Sequence, residues 1–392
     1  MRSLVALLLV AGCAPPRASF DSTLPPPTPV VAFPFERYND HLYVRALVNK
    51  DSAWLLLDTG TAYTWVDSAW AMRAGATPVP GGRNTVMTVS LDSVVLGGFQ
   101  LRKHRALLIS TAFISQGSGR AIRGILGFEG LRRYTIEIDP LEGLIKLYDP
   151  ATYRYAGSGT VVPIALRDGL LFTRAQVSVA GRRPVTVHLM LDTGASRQCT
   201  IFSRHFLATH KEFDALPGLD AIVGVGINGQ FEGRVMRLQE LRLGPFVARA
   251  PTVGLPDSGT EKILDFPADG VIGNQLLTRT GIVFDYARHR IILAKAGTDE
   301  STCPYDMSGL FLTTSGPLLE EVRVAHITPN SPASDAGVRL GDAVVAVDGK
   351  PIAALTLWEI RQALSVDGAR RELLLRRGAD SISVTLLLRP LL

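Results

Sequence analysis

The chain has 392 residues, 46% of them hydrophobic and 20% charged, with a formal charge of +5 and a pI of about 9.2. That is ordinary globular composition, enough for two or three domains with several cores. Basic residues fall in short scattered pairs such as Arg132-Arg133 and Arg376-Arg377, with no long basic run interleaved with aromatics, so a nucleic-acid partner is not expected.

The first residues read as a targeting segment. Met1-Arg2-Ser3 gives a short positive region, residues 4–10 are apolar, and Ala11-Gly12-Cys13 follows. The apolar stretch is too short to span a bilayer as a mature helix and suits a secretory signal over residues 1–12. Val10-Ala11-Gly12-Cys13 resembles a bacterial lipobox, which implies lipidation of Cys13; the alternative is an ordinary signal peptide cleaved nearby. Residues 13–32 are rich in Pro, Ser and Thr and include Pro25-Pro26-Pro27, a composition that makes an extended tether. Cys199 and Cys303 then remain. Export permits a disulfide between them, but their spacing alone leaves this open against two free thiols. The seven histidines are dispersed and no Cys or His pair has metal-ligand spacing, so no metal or other cofactor is expected.

From residue 33 to 295 the chain repeats itself. Leu55-Leu56-Leu57-Asp58-Thr59-Gly60 parallels Leu189-Met190-Leu191-Asp192-Thr193-Gly194. Leu96-Gly97 parallels Leu243-Gly244, and Ile125-Leu126-Gly127 parallels Val271-Ile272-Gly273. Gly97 stands 30 residues before Gly127, and Gly244 stands 29 before Gly273. Asp139 and Asp285 each follow 12 residues later, and Ile145 and Ile291 six residues after those. Strand patterns fall at 85–96, 144–148, 161–166, 174–179, 185–191 and 290–293, punctuated by Gly and Pro. A helical stretch is expected after each apolar-apolar-Gly step, near Gly130 and at 275–277. Two copies of one β-rich unit are expected, at 33–150 and 151–298.

A lone Asp-Thr-Gly after an apolar strand is most simply a strand-end turn. Two at equivalent positions of a repeat are different, because a pseudo-twofold axis brings both loops together. Two carboxyls sharing one site hold one proton between them. The ionised member takes a proton from water, and the protonated member hydrogen-bonds a scissile carbonyl.

The doubled motif, Asp58-Thr59-Gly60-Thr61 and Asp192-Thr193-Gly194-Ala195-Ser196, resembles the pepsin-like and retropepsin-like aspartic peptidases. The resemblance implies a mostly β, two-lobed acid-protease-like fold with Asp58 and Asp192 as the catalytic pair. It implies cross-axis hydrogen bonds from Thr59 and Thr193, loops completed by Gly60 and Gly194, and support from Thr61 and Ser196. Thr61 is placed to hydrogen-bond the outer oxygen of Asp58, a contact Ala195 cannot copy. No tyrosine stands in the first flap expected at 84–94, where pepsins place one. The glycine-rich run at 224–230 is a second candidate cover, or a plain β-turn.

After a polar linker at 296–304 the composition resets. Residues 321–327 alternate like a strand, 355–364 read as an amphipathic helix, and 373–376 and 382–388 are final strands. The run Ser331-Pro332-Ala333, Ala336-Gly337, Gly341-Asp342 and Val347-Asp348-Gly349 resembles bacterial PDZ domains over residues 305–392. That implies a small β-barrel with a helix and a groove taking a peptide terminus by strand addition, with a carboxylate-binding loop at Gly309, Leu310 and Phe311. Together these features give an exported aspartic endopeptidase held at the cell envelope, facing the periplasm, by a lipid anchor. Its expected partners are a peptide or protein substrate, a PDZ ligand terminus and the membrane. The alternative is a non-catalytic peptide-binding scaffold of the same fold.

Overall fold

The computed structural model describes residues 28–80, 87–258, 268–278, 281–294 and 303–392. The expected leader at 1–12, the expected lipidation site Cys13, most of the expected tether, the start of the expected first flap and most of the expected linker at 296–304 lie outside the described residues.

Two β-rich lobes share a six-stranded antiparallel sheet. Its order is Thr160–Pro163, Arg290–Leu293, Ile282–Asp285, Thr135–Asp139, Leu144–Tyr148 and the first half of Val31–Tyr38. The repeated Asp139 and Asp285 end the two central strands, where Ile282 lies opposite Ile138 and Phe284 opposite Ile136. These segments become strands because their apolar residues alternate or run continuously: Ile136, Ile138, Ile145 and Leu147 are buried around the half-exposed Glu137 and Lys146. Burying each such side chain fully contributes about 1.5–3 kcal/mol. The body begins at Val31, which pairs with Leu147, so the last two residues of the expected tether are already strand.

Each repeat feature has a structural reason. Gly97 and Gly244 sit in two-residue hairpin turns at φ of 57° and 55°, a backbone that favours glycine. Ile125-Leu126-Gly127 lies parallel to the strand Asp51–Asp58, and Val271-Ile272 lies parallel to Val185–Leu191. One expected strand is corrected. The run at 161–166 divides at Ile164: Thr160–Pro163 joins the shared sheet, whereas Ala165–Arg167 folds back on Leu170–Ser178. The short helical elements are Phe128–Gly130 and Asn274–Leu277.

The C-terminal domain is a separate sheet, ordered Leu310–Ser315, Glu321–Ile327, Ala343–Val347, Arg370–Arg377 and Asp380–Leu387. The helix Leu357–Ala363 is started by a capping box between Thr356 and Glu359. Its inner face packs Leu357 and Ile360 into a core with Leu312, Val324, Leu375 and Leu386. A disulfide joins Cys199 of the second lobe to Cys303 at the entrance of this domain, with Cα atoms 6.1 Å apart. The open question about these two cysteines is thereby answered.

Candidate active site

Asp58 is the last residue of the strand Asp51–Asp58, and Asp192 directly follows Val185–Leu191. Both strands end in the interface between the lobes, so the two loops meet. Thr59 Oγ1 donates to Leu191 O at 2.7 Å and accepts from Thr193 N at 2.9 Å. Thr193 Oγ1 donates to Leu57 O at 3.0 Å and accepts from Thr59 N at 3.0 Å. Each threonine thus satisfies one donor and one acceptor of the other lobe, and both are fully buried. Four buried hydrogen bonds with no free partner make a rigid crossing.

The glycines set the closeness. A Cβ on Gly60 would lie 2.5 Å from Asp192 Cγ, and one on Gly194 2.5 Å from Asp58 Oδ2. Gly60 N donates to Asp58 Oδ1 at 2.6 Å; Gly194 N and Ala195 N donate to Asp192 Oδ1 at 2.8 and 3.2 Å. Each glycine thus faces the other lobe's carboxyl, and the two carboxyls stand close enough to affect each other. Burial pushes Asp58 well above the usual carboxylate range, and the charge of Asp192 pushes it further. Burial also raises Asp192, but the hydrogen bonds from Asp58, Gly194 and Ala195 oppose the rise. One proton is therefore shared by the two carboxyls, which titrate as a unit.

Thr61 does not reach Asp58. Its hydroxyl donates to Tyr63 O at 3.1 Å and accepts from Trp65 Nε1 at 2.8 Å, so it braces the loop instead. The one O–H that Thr61 can donate is taken by the Tyr63 carbonyl, so none is left for the carboxyl. Ser196 is buried and lines the cleft.

The pair opens into a cavity of about 280 Å³. One wall is the hairpin of Leu219–Gly226 and Gly229–Arg237, so the glycine-rich run forms the turn of a cleft cover. Another is the helix Ala112–Ser118, whose Gly117 packs on Val225. His41, from the tip of the first hairpin, donates from Nε2 to Gly194 O at 2.9 Å. Burial lowers its pKa to about 4, so it stays neutral. Arg197 and Arg361 complete the lining. Sequence reasoning missed His41, the 112–118 helix, Arg197 and Arg361, which carry no motif.

The C-terminal domain docks on this cleft. Arg361 Nη2 donates to Gly117 O and to Leu312 O, both at 2.8 Å, capping the end of the 112–118 helix. Thr314 Oγ1 donates to Gln116 O at 3.0 Å, and Thr328 Oγ1 to Asp220 O at 3.2 Å. Gly309, Leu310 and Phe311 are buried there, and the loop is filled from within. Gly309 N donates to Asp306 Oδ2 at 2.5 Å and Ser308 Oγ to Asp306 Oδ1 at 2.7 Å. In this docked arrangement the loop offers no open carboxylate site. The strand edge is also engaged, since Arg361 holds Leu312 O.

The two lobes, crossed through matched Asp-Thr-Gly loops, define a fold of the acid-protease type followed by a PDZ domain. Residues 44–129 and 175–276 match the family model described as aspartyl protease, and residues 323–377 match that described as PDZ domain. Among solved structures, the chain is similar to a retropepsin-like aspartic protease from Rickettsia conorii, at 23% identity and a TM-score of 0.23, covering 30% of this chain and 89% of that one. It is also similar to an aspartic proteinase from Irpex lacteus, at 14% identity and a TM-score of 0.44, covering 68% and 97%. Basic 7S globulin from soybean matches at 14% identity and a TM-score of 0.39, covering 68% and 95%. No curated protein matches the chain.

Proposed function

We propose that this chain is an exported aspartic endopeptidase, tethered to the cell envelope through a lipid on Cys13, in which Asp58 and Asp192 hydrolyse peptide bonds. The observation that carries the reading is the reciprocal Thr59–Thr193 crossing, which holds two carboxyls side by side in one cleft. Such a pair supplies both halves of the reaction. The ionised member of the pair, its charge met by the loop N–H groups of Gly60, Gly194 and Ala195, takes a proton from the attacking water. The protonated member donates its hydrogen bond to the carbonyl oxygen as the tetrahedral centre forms. No metal or covalent intermediate is needed. The Cys199–Cys303 disulfide supports an oxidising compartment, in keeping with export. In the docked arrangement the PDZ domain walls the cleft; capture of a peptide terminus at Gly309–Phe311 requires this contact to open first.

The test is cleavage of a peptide library by the wild type and by Asp192→Asn, with and without a pepstatin-type inhibitor. The expected result is inhibitor-sensitive cleavage by the wild type alone; equal cleavage by both proteins defeats the reading. For the tether, Cys13→Ser should release the protein from membranes, and unchanged retention counts against lipidation.

A further inference from the structure

The cleft is unusual in its charge. Apart from the Asp58–Asp192 pair, its described lining holds no carboxylate, yet it holds two guanidinium groups, Arg197 and Arg361. Arg197 comes from the second lobe, five residues after Asp192; Arg361 comes from the PDZ helix. They flank one ring: Arg197 Cζ lies 4.3 Å from the Phe311 centroid and Arg361 Cζ 5.8 Å. Phe311 is only 3% exposed, so both cations stand in a largely dry corner.

Neither cation is neutralised by a salt bridge among the described residues. Arg361 uses only Nη2, on two carbonyl oxygens. Arg197 Nε is buried with no hydrogen-bond partner. The nearby Asp306 is a single carboxyl, already engaged by Gly309 N and Ser308 Oγ, and burial pushes its pKa upward. It offsets at most one of the two positive charges. Their field reaches the interior of the cleft: both guanidiniums help to keep His41 neutral, after burial as the main cause. Two guanidiniums that line a cavity, neither in a salt bridge and one with an unpartnered Nε, form an incomplete site, since buried charge is costly unless paired. A carboxylate matches their planar donors.

We propose that Arg197 and Arg361 form an anion subsite, assembled across the protease–PDZ interface, that binds a carboxylate of the peptide substrate. The PDZ domain then acts on specificity by lending a side chain to the cleft, and substrates with a suitably placed carboxylate are preferred. This rests on the peptidase reading above. The carboxylate has two sources, an acidic side chain or the free C-terminus of the peptide.

The experiment uses the full mature chain with a set of matched peptides. Each carries Glu or Gln at one scanned position, or ends in a free acid or an amide. Cleavage is followed with the wild type, and binding by fluorescence anisotropy with Asp192→Asn, so that the subsite is judged even if no peptide is cut. At one position the carboxylate form should be favoured by about tenfold in kcat/KM and in affinity, the range of one charge-assisted contact. A Glu-over-Gln preference identifies the side chain, and an acid-over-amide preference the C-terminus. Arg197→Gln and Arg361→Gln should each bring that ratio close to one, and Arg361→Lys should restore part of it. The ratio is insensitive to the fraction of protein folded. Ratios of one throughout in the wild type, or ratios unchanged in both Gln variants, overturn the proposal. Loss of cleavage with the binding ratio intact counts against the peptidase reading and upholds the subsite.

Discussion

Thr59 Oγ1 accepts the backbone N–H of Thr193 at 2.9 Å while donating to Leu191 O at 2.7 Å, so one hydroxyl of the first lobe closes two hydrogen bonds of the second. Thr193 does the same in return. The crossing sets how closely the two carboxyls stand.

Replacing Thr59 by Val therefore leaves a buried N–H and a buried carbonyl of the other lobe without partners. The expected cost is about 1–3 kcal/mol for each orphaned group, with a larger loss of activity than of fold because the carboxyls lose their spacing. Thr59→Ser keeps the hydroxyl and should retain most stability. Urea midpoints and kcat/KM of the two variants check this; equal behaviour of Val and Ser contradicts it.

The pair also couples to stability. Burial and the neighbouring charge raise the Asp58 pKa, so the folded state binds more protons than the unfolded one above the ordinary carboxylate range. The stability tied to this group is fully present below its unfolded pKa, about 3.9, and is lost as pH rises through its folded pKa. Asp58→Asn removes that cost. The variant should be inactive yet more stable than the wild type at neutral pH, with the difference vanishing in acid. Thermal melts across pH measure it, and a variant less stable at neutral pH contradicts the account.

Gly119 ends the 112–118 helix at φ of 74°, where a Cβ would lie 2.5 Å from Leu357 Cβ on the PDZ helix. Gly119→Val adds backbone strain and a clash at the docking surface, at a cost of about 1–3 kcal/mol. Hydrogen exchange at 112–118 and 310–315 should quicken together. Unchanged exchange at both segments rejects this view of the interface.

The Cys199–Cys303 disulfide closes a sequence separation of 104 residues. Replacing both by Ser should lower stability by about 2–5 kcal/mol. A reductant should lower the wild-type melting temperature and leave the double variant unmoved.

Much of this was legible in the sequence because the repeat carries its own constraints. The strands at 144–148 and 185–191 were readable to the residue, since Gly143 and Asp149 bound the first and Pro184 and Asp192 the second; those at 290–293 and 321–327 were readable from an apolar run and an alternating one. Thr59 and Thr193 were readable as crossing residues only through the resemblance. The hairpin glycines 97 and 244 were visible as a repeat without their reason, which is a positive φ. Thr61 misled because its O–H is taken by the carbonyl of Tyr63, two residues ahead on the same loop. Arg197 and Arg361 were unreadable: each is an ordinary basic residue until docking brings a helix 164 positions downstream of Arg197 to the same ring. The closed state of the PDZ loop was equally unreadable, since it depends on Asp306 accepting from Gly309 N and Ser308 Oγ.

The most direct measurement is the pH profile of kcat/KM for a cleaved peptide, taken with the wild type, Asp58→Asn and Asp192→Asn. A shared proton predicts a bell: activity falls in acid as the pair gains a second proton, and falls at higher pH as it loses the shared one. Because both carboxyls are raised, the basic limb should lie above the ordinary carboxylate range. Each Asn variant should lose at least about 10²–10⁴-fold at every pH. A wild-type profile without two limbs, or a variant within tenfold of wild type at any pH, contradicts the assignment of Asp58 and Asp192 as the catalytic pair.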